Sequence, residues 1–122
     1  MQILLAEDEP AIRTTCELLL KSNGHKVRLA SDGHECLEIY STFTNGHPDF
    51  FDLVILDYRM PIRDGLECAK EISAVNPRQK ILLMTAYSTD DFRAKIGLPT
   101  MRFLQKPFTG DELISAVESS LK

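Results

Sequence analysis

Leu53-Val54-Ile55-Leu56-Asp57-Tyr58-Arg59-Met60-Pro61 puts four consecutive apolar residues directly before an acid. A strand with one wet face would alternate polar and apolar residues. This run does not, so it is expected to be covered on both faces, as strands of parallel sheets are. Similar runs occupy Ile3 to Ala6 and Ile81 to Met84, whereas Lys26-Val27-Arg28-Leu29 alternates and Phe103-Leu104 is short. The continuous runs are predicted to be inner strands and the other two the sheet edges.

Helical patterns fill the intervals. Ile12, Cys16, Leu19 and Leu20 are spaced i, i+4, i+7, i+8, with Pro10 suited to the first turn and Asn23-Gly24 to the exit. Cys36, Leu37 and Tyr40 follow Ser31-Asp32; Leu66, Ala69 and Ile72 stop before Pro77. Leu113, Val117 and Leu121 follow Thr109-Gly110-Asp111-Glu112, a capping-box pattern. Residues 41–52 read as a long loop with an Asn45-Gly46 turn and a Pro48 break, in which Phe43, Phe50 and Phe51 supply local packing. Strict strand and helix alternation predicts parallel βαβ units and one α/β sandwich over residues 1–122. With the first strand central and the second outside it, the winding reverses beside strand one, and the ligand crevice should lie beyond the carboxyl ends of the strands there.

Composition narrows the function classes. The 122 residues carry a formal net charge of -4 and no basic block, which argues against direct nucleic-acid binding. Cys16, Cys36 and Cys68 are an odd number without C-x-x-C spacing, so neither a disulfide framework nor a structural zinc site is expected. No run approaches membrane-spanning length and the amino terminus turns acidic too early for a signal peptide, so a cytoplasmic location without membrane insertion is expected. G-x-G-x-x-G and G-x-x-x-x-G-K are absent, which disfavours a nucleotide-binding protein.

Glu7-Asp8, Asp57 and Thr85 each stand directly after an apolar run, and Lys106 follows the short fifth one. Alone, each reads as a cap, a turn residue or a surface charge. Gathered at one end of a sheet, the three carboxylates would repel unless a cation joined them. With so few protein ligands, all oxygen, Mg2+ suits the set better than Ca2+. One carboxylate could then attack phosphorus, while Lys106 and Thr85 supply a second cation and a hydroxyl to the phosphoryl oxygens.

These islands, as Leu-Leu-Ala-Glu-Asp-Glu-Pro at 4–10, Leu-Asp-Tyr-Arg-Met-Pro-Ile-Arg-Asp-Gly at 56–65, Met-Thr-Ala at 84–86 and Lys-Pro-Phe at 106–108, make the chain resemble the CheY-like receiver domains of two-component response regulators. The resemblance implies a flavodoxin-like, doubly wound sheet of five parallel strands in order 2-1-3-4-5, often with a cis peptide before the proline matching Pro107. It implies Asp57 as phosphoacceptor, Glu7, Asp8, Asp57 and the backbone carbonyl of Arg59 as Mg2+ ligands, and Thr85 with Lys106 as the phosphoryl-binding pair. It implies a switch in which Thr85 swings toward the phosphoryl group and Phe103 turns into the vacated space. Arg59 and Tyr87 would flank the phosphoryl group, and their bulk is expected to slow self-dephosphorylation. Glu7 departs from the commoner aspartate of the acidic pair, and its longer arm is expected to reach the metal through water.

The implied partners are a sensor histidine kinase or histidine phosphotransfer protein, and a downstream protein target on the face of the fourth helix, fifth strand and fifth helix. There Asp90 to Lys95 allows only a short helix before Gly97-Leu98-Pro99, and phosphorylation-dependent homodimerisation through Asp90 to Gln105 stays open. The expectation is a switch in a phosphorelay rather than a turnover enzyme. The alternatives are a non-phosphorylated pseudo-receiver acting as an interaction module, and an aspartyl-phosphate phosphatase of the haloacid-dehalogenase kind. The latter would carry an aspartate where Arg59 stands. No output domain follows the last helix, so the chain reads as a free-standing receiver or an excised piece of a longer protein.

Overall fold

The computed structural model describes residues 1–86 and 90–122. Ten elements alternate strictly: β1 (Gln2–Ala6), α1 (Pro10–Ser22), β2 (Lys26–Ala30), α2 (Gly33–Thr44), β3 (Leu53–Asp57), α3 (Gly65–Val75), β4 (Ile81–Thr85), α4 (Asp90–Ile96), β5 (Met101–Gln105) and α5 (Gly110–Leu121). The strands form one parallel sheet in the order β2-β1-β3-β4-β5. β3 and β4 are buried along their whole length, while β2 alternates at one edge, because only the inner strands have helices over both faces and neighbours on both sides.

Side-chain alternation sorts the core into two layers. Leu4, Ala6, Val54, Leu56, Ile81 and Leu83 face α2 and α3 through Cys36, Tyr40, Cys68, Ala69 and Ile72. Ile3, Leu5, Leu53, Ile55, Leu82 and Met84 face α1 and α5 through Cys16, Leu20, Leu113 and Val117. All three cysteines are buried free thiols. Among the described residues, no helix is long and apolar enough to cross a membrane.

The helix ends follow local chemistry. Pro10 opens α1, Asp32 caps α2 through the Glu35 N–H at 2.8 Å, and Thr109 with Glu112 closes the expected capping box on α5. A second box, Asp64 with Glu67, starts α3. Two expectations need correction. α2 does not stop near Tyr40 but runs to Thr44, since Phe43 continues its apolar face and the Thr44 hydroxyl donates to the Tyr40 carbonyl; the loop is therefore 45–52. The last strand extends beyond Phe103-Leu104 to Met101–Gln105, its edge position leaving Arg102 and Gln105 exposed and so hiding the apolar signal.

One backbone feature carries strain. The Arg63 N–H donates to the Pro61 carbonyl at 2.8 Å across Ile62, whose φ is 73°. This is a γ-turn of the rarer, strained kind, with a β-branched residue where glycine is favoured. The Ile62 side chain is 74% exposed, so it recovers little by burial. Ile62→Gly is expected to stabilise the protein by about 1 kcal/mol, the relieved strain outweighing glycine's added freedom in the unfolded chain. In urea unfolding the midpoint should rise with an unchanged slope; a lower midpoint would refute this strain assignment.

Candidate functional site

Parallel strands bring their carboxyl ends to one rim of the sheet. The register pairs Ala6 with Leu56, which sets Glu7 level with Asp57; Asp57 pairs with Met84, so Thr85 stands one residue further. Thr85 pairs with Gln105, and the next residue is Lys106. The Lys106 N–H donates to the Thr85 carbonyl at 2.9 Å, and the Lys106–Pro107 peptide is cis. The four sequence islands are thus gathered in one place.

Their side chains meet in a partly buried cluster. Lys106 Nζ lies 2.9 Å from Asp57 Oδ1 and 3.2 Å from Glu7 Oε1. Glu7 is fully buried, Asp57 and Thr85 nearly so, and Asp8 faces solvent. Glu7 is also tied through its backbone, its N–H donating to the Ala30 carbonyl at 3.1 Å and its carbonyl accepting from Arg13 Nη1 at 2.9 Å. Behind the cluster, the Gly65 N–H donates to the Tyr58 carbonyl at 2.8 Å. A side chain at 65 would run into the Asp57 carbonyl, so glycine is what lets α3 start against the end of β3.

Burial sets the protonation of the site. Burial, then the neighbouring Asp57 carboxylate, push the Glu7 carboxyl up to about 8 against the opposing pull of Lys106. At neutral pH the fully buried acid therefore keeps its proton, while Asp57 has the ammonium beside it. Burial disfavours the Lys106 charge, but hydrogen bonding and attraction from Asp57, and then Glu7, outweigh it and hold the ammonium above the ordinary lysine value.

Glu7, Asp8 and Asp57 each offer a carboxylate oxygen, all within 4.8 Å of one another. Glu7 Oε2 is buried and has no hydrogen-bond partner. An all-oxygen set with an orphaned buried oxygen fits a hard cation. Cys16, which the fold brings near Glu7, does not change the donor set. Burial, followed by the Glu7 charge, pushes its thiol up to about 11, so it stays protonated at neutral pH.

The remaining sequence-derived positions are more dispersed. Arg59 is exposed on the loop after β3. Phe103 is half-buried on β5, with its ring 6.1 Å from Phe92 and the Arg93 guanidinium carbon 5.4 Å from its centroid. Tyr87 lies outside the described residues. Arg13 escaped the sequence reading because nothing in its spacing distinguishes it from a solvated helix charge.

A five-stranded 2-1-3-4-5 sheet with this acid, hydroxyl and lysine rim defines a class, and the family model for the response regulator receiver domain matches residues 3–118; the chain belongs to that family. Among its relatives, the transcriptional regulatory protein ZraR of Escherichia coli (strain K12) is 34% identical over 122 residues, covering 99% of this chain and 26% of ZraR. Response regulator MprA of Mycolicibacterium vanbaalenii is 32% identical over 123 residues, covering 100% of this chain and 51% of MprA. The chain thus spans about a quarter to a half of the length of these relatives. Among solved structures, chemotaxis protein CheY4 of Vibrio cholerae superposes with a TM-score of 0.83 at 26% identity, covering 98% of both chains. The receiver domain of the hybrid histidine kinase CckA superposes with a TM-score of 0.80 at 29% identity over 100% of both. The chain is therefore a receiver of the two-component type with a flavodoxin-like fold.

Proposed function

We propose that residues 1–122 act as one receiver domain that takes a phosphoryl group on Asp57 from a phosphohistidine of a sensor kinase or phosphotransfer protein. The observation that carries this reading is the ion pair of Lys106 with Asp57 at 2.9 Å on the rim where Glu7, Asp8 and Thr85 converge. An Asp57 oxygen attacks phosphorus, the P–N bond breaks, and the imidazole leaves with its electron pair. Lys106 balances the charge on the phosphoryl oxygens, and the Thr85 hydroxyl would donate to them. Glu7, Asp8, Asp57 and the Arg59 carbonyl would hold Mg2+, which would supply Lewis-acid neutralisation of the incoming phosphate. The half-buried Phe103 is the switch aromatic, and the face of α4, β5 and α5 is the route to a downstream protein in the cytoplasm.

Acetyl phosphate tests this directly. With Mg2+, intact mass should show one added phosphoryl group on the wild type, none on Asp57→Ala, and none in chelator. Uptake by Asp57→Ala equal to wild type would overturn the assignment, and no uptake by the wild type would favour a receiver-shaped interaction module.

The exposed Arg59 flanks the route of attacking water. Arg59→Ala should shorten the acyl-phosphate half-life by a factor of about 5, which corresponds to a barrier lower by ~1 kcal/mol. Loss of label after donor removal measures this, and an unchanged half-life would remove Arg59 from the set that governs lifetime; Tyr87 enters the same set on sequence grounds.

A further inference from the structure

Two helix starts repeat one pattern. Asp32-Gly33-His34-Glu35-Cys36 opens α2 and Asp64-Gly65-Leu66-Glu67-Cys68 opens α3. In both, the aspartate caps the helix and accepts from the glutamate N–H at 2.8 Å, while the glutamate side chain reaches back to a backbone N–H, that of Ser31 before α2 and that of Asp64 before α3. The same construction therefore sets a cysteine at the fourth position of each helix. α2 and α3 pack side by side on one face of the sheet, and both cysteines are fully buried in that core layer.

The two thiols meet between the helices. The Cys68 thiol donates across to α2, to the Gly33 carbonyl at 3.5 Å, one turn before Cys36. Hydrogen bonding between the two thiols, ahead of burial, pushes Cys36 up and holds Cys68 down, and the Arg63 charge helps to lower Cys68. Cys68 is thus the better nucleophile of the pair. Two thiols fall short of the four ligands of structural zinc, and the candidate metal group among the described residues, Glu7, Asp8 and Asp57, does not include them. The helix starts also grip the loop that follows the acceptor: a side chain at 33 would run into the Arg63 carbonyl, as one at 65 would into the Asp57 carbonyl. Bonding the two sulfurs brings them closer than unbonded thiols can come, so it draws α3 toward α2 with this loop caught between them.

We infer that Cys36 and Cys68 form a reversible disulfide that ties α2 to α3 and slows phosphoryl uptake at Asp57. The slowing rests on the receiver reading above; the bond itself does not. Hydrogen peroxide, small and uncharged, is the oxidant. The Cys68 thiolate attacks one peroxide oxygen, the O–O bond breaks, and the thiol's proton joins the departing hydroxide to make water, leaving a sulfenic acid. The Cys36 sulfur then displaces the sulfenic oxygen as a second water. Two electrons pass from the thiols to peroxide, and a thiol reductant reopens the bond by exchange.

Peroxide treatment followed by alkylation in denaturant, peptide mapping and intact mass tests both parts. The wild type should become lighter by two hydrogens, with Cys36 and Cys68 linked and protected from alkylation while Cys16 is alkylated. With acetyl phosphate and Mg2+, the linked protein should take up the phosphoryl group at least about 10-fold more slowly than the reduced one, and dithiothreitol should restore the rate. Cys36→Ala should lose both the link and the effect of peroxide on uptake. Free or over-oxidised thiols at 36 and 68 in peroxide-treated wild type would overturn the disulfide. Uptake by the linked protein within twofold of the reduced one would overturn the slowing, as would equal slowing by peroxide in Cys36→Ala. Failure of reduced wild type to gain mass would count against the receiver reading, and the mapping would still decide the disulfide.

Discussion

In chelator, the wild-type protein should lose roughly 3 to 5 kcal/mol of stability between pH 5 and pH 9, and Glu7→Gln should remove most of that slope. The cause is the Glu7 carboxyl, raised from 4.5 to about 8 first by burial and then by its contact with Asp57. A raised acid binds its proton more tightly in the folded state than in the unfolded chain. Between the two values the folded state therefore holds more protons, and stability falls as pH rises. The contribution is complete below about 4.5 and lost as pH passes 8. Lys106, held above its ordinary 10.5, acts only at higher pH. His25 is lowered by burial, and then by the charged amino terminus, so it works against stability only as pH falls below its ordinary 6.5. The difference between wild type and Glu7→Gln cancels both. Glutamine keeps the shape of Glu7 without the buried charge, and the Lys106–Asp57 pair survives the change. Urea unfolding at pH 5, 7 and 9 would measure the slope. A glutamine variant with the slope of wild type would show that Glu7 is not the titrating group.

Phe51→Ala is expected to cost about 3 to 5 kcal/mol and to lower the Tm by on the order of 15 °C. Phe51 is 3% exposed and touches three other rings. It lies 6.0 Å from Tyr40 in a stacked arrangement, 4.9 Å from Phe50 at 90°, and 6.1 Å from Phe43 at 66°. The cluster is also tied to polar groups, since the Tyr40 hydroxyl donates to Gln79 at 2.8 Å and Gln79 Nε2 donates to the Phe51 carbonyl at 3.0 Å. Removing the ring leaves a cavity that the fixed backbone cannot close. Because the cluster sits before β3, at the opposite end of the strand from Asp57, phosphoryl uptake per folded molecule should be unchanged. A loss below about 1 kcal/mol would mean that the aromatic group is not part of the core.

These two sites differ in how much of them a reader of the sequence could see. Leu53 to Leu56 and Ile81 to Met84 announce buried strands because burial on both faces erases alternation, and the edge character of β2 shows in Lys26 and Arg28. The gathering of Glu7, Asp8, Asp57, Thr85 and Lys106 follows from parallel strands once their order is fixed. The complete burial of Glu7, and its contact with a lysine 99 positions away, do not. They depend on side-chain placement that no local pattern encodes. The Asp64–Glu67 box is spelled by the spacing of Asp64-Gly65-Leu66-Glu67 just ahead of the apolar face of α3. Ile62 carried the opposite problem: a β-branched residue gives no hint of a positive φ.

The open side of β2 has a consequence for how this chain behaves in a crowd. A sheet that ends in an unpaired strand offers its backbone as a template to any extended segment that drifts past. On this edge Lys26 and Arg28 stand exposed, so a second strand arriving there would have to bury positive charge before it could form its first hydrogen bond. The two cations thereby work against sideways polymerisation along this edge.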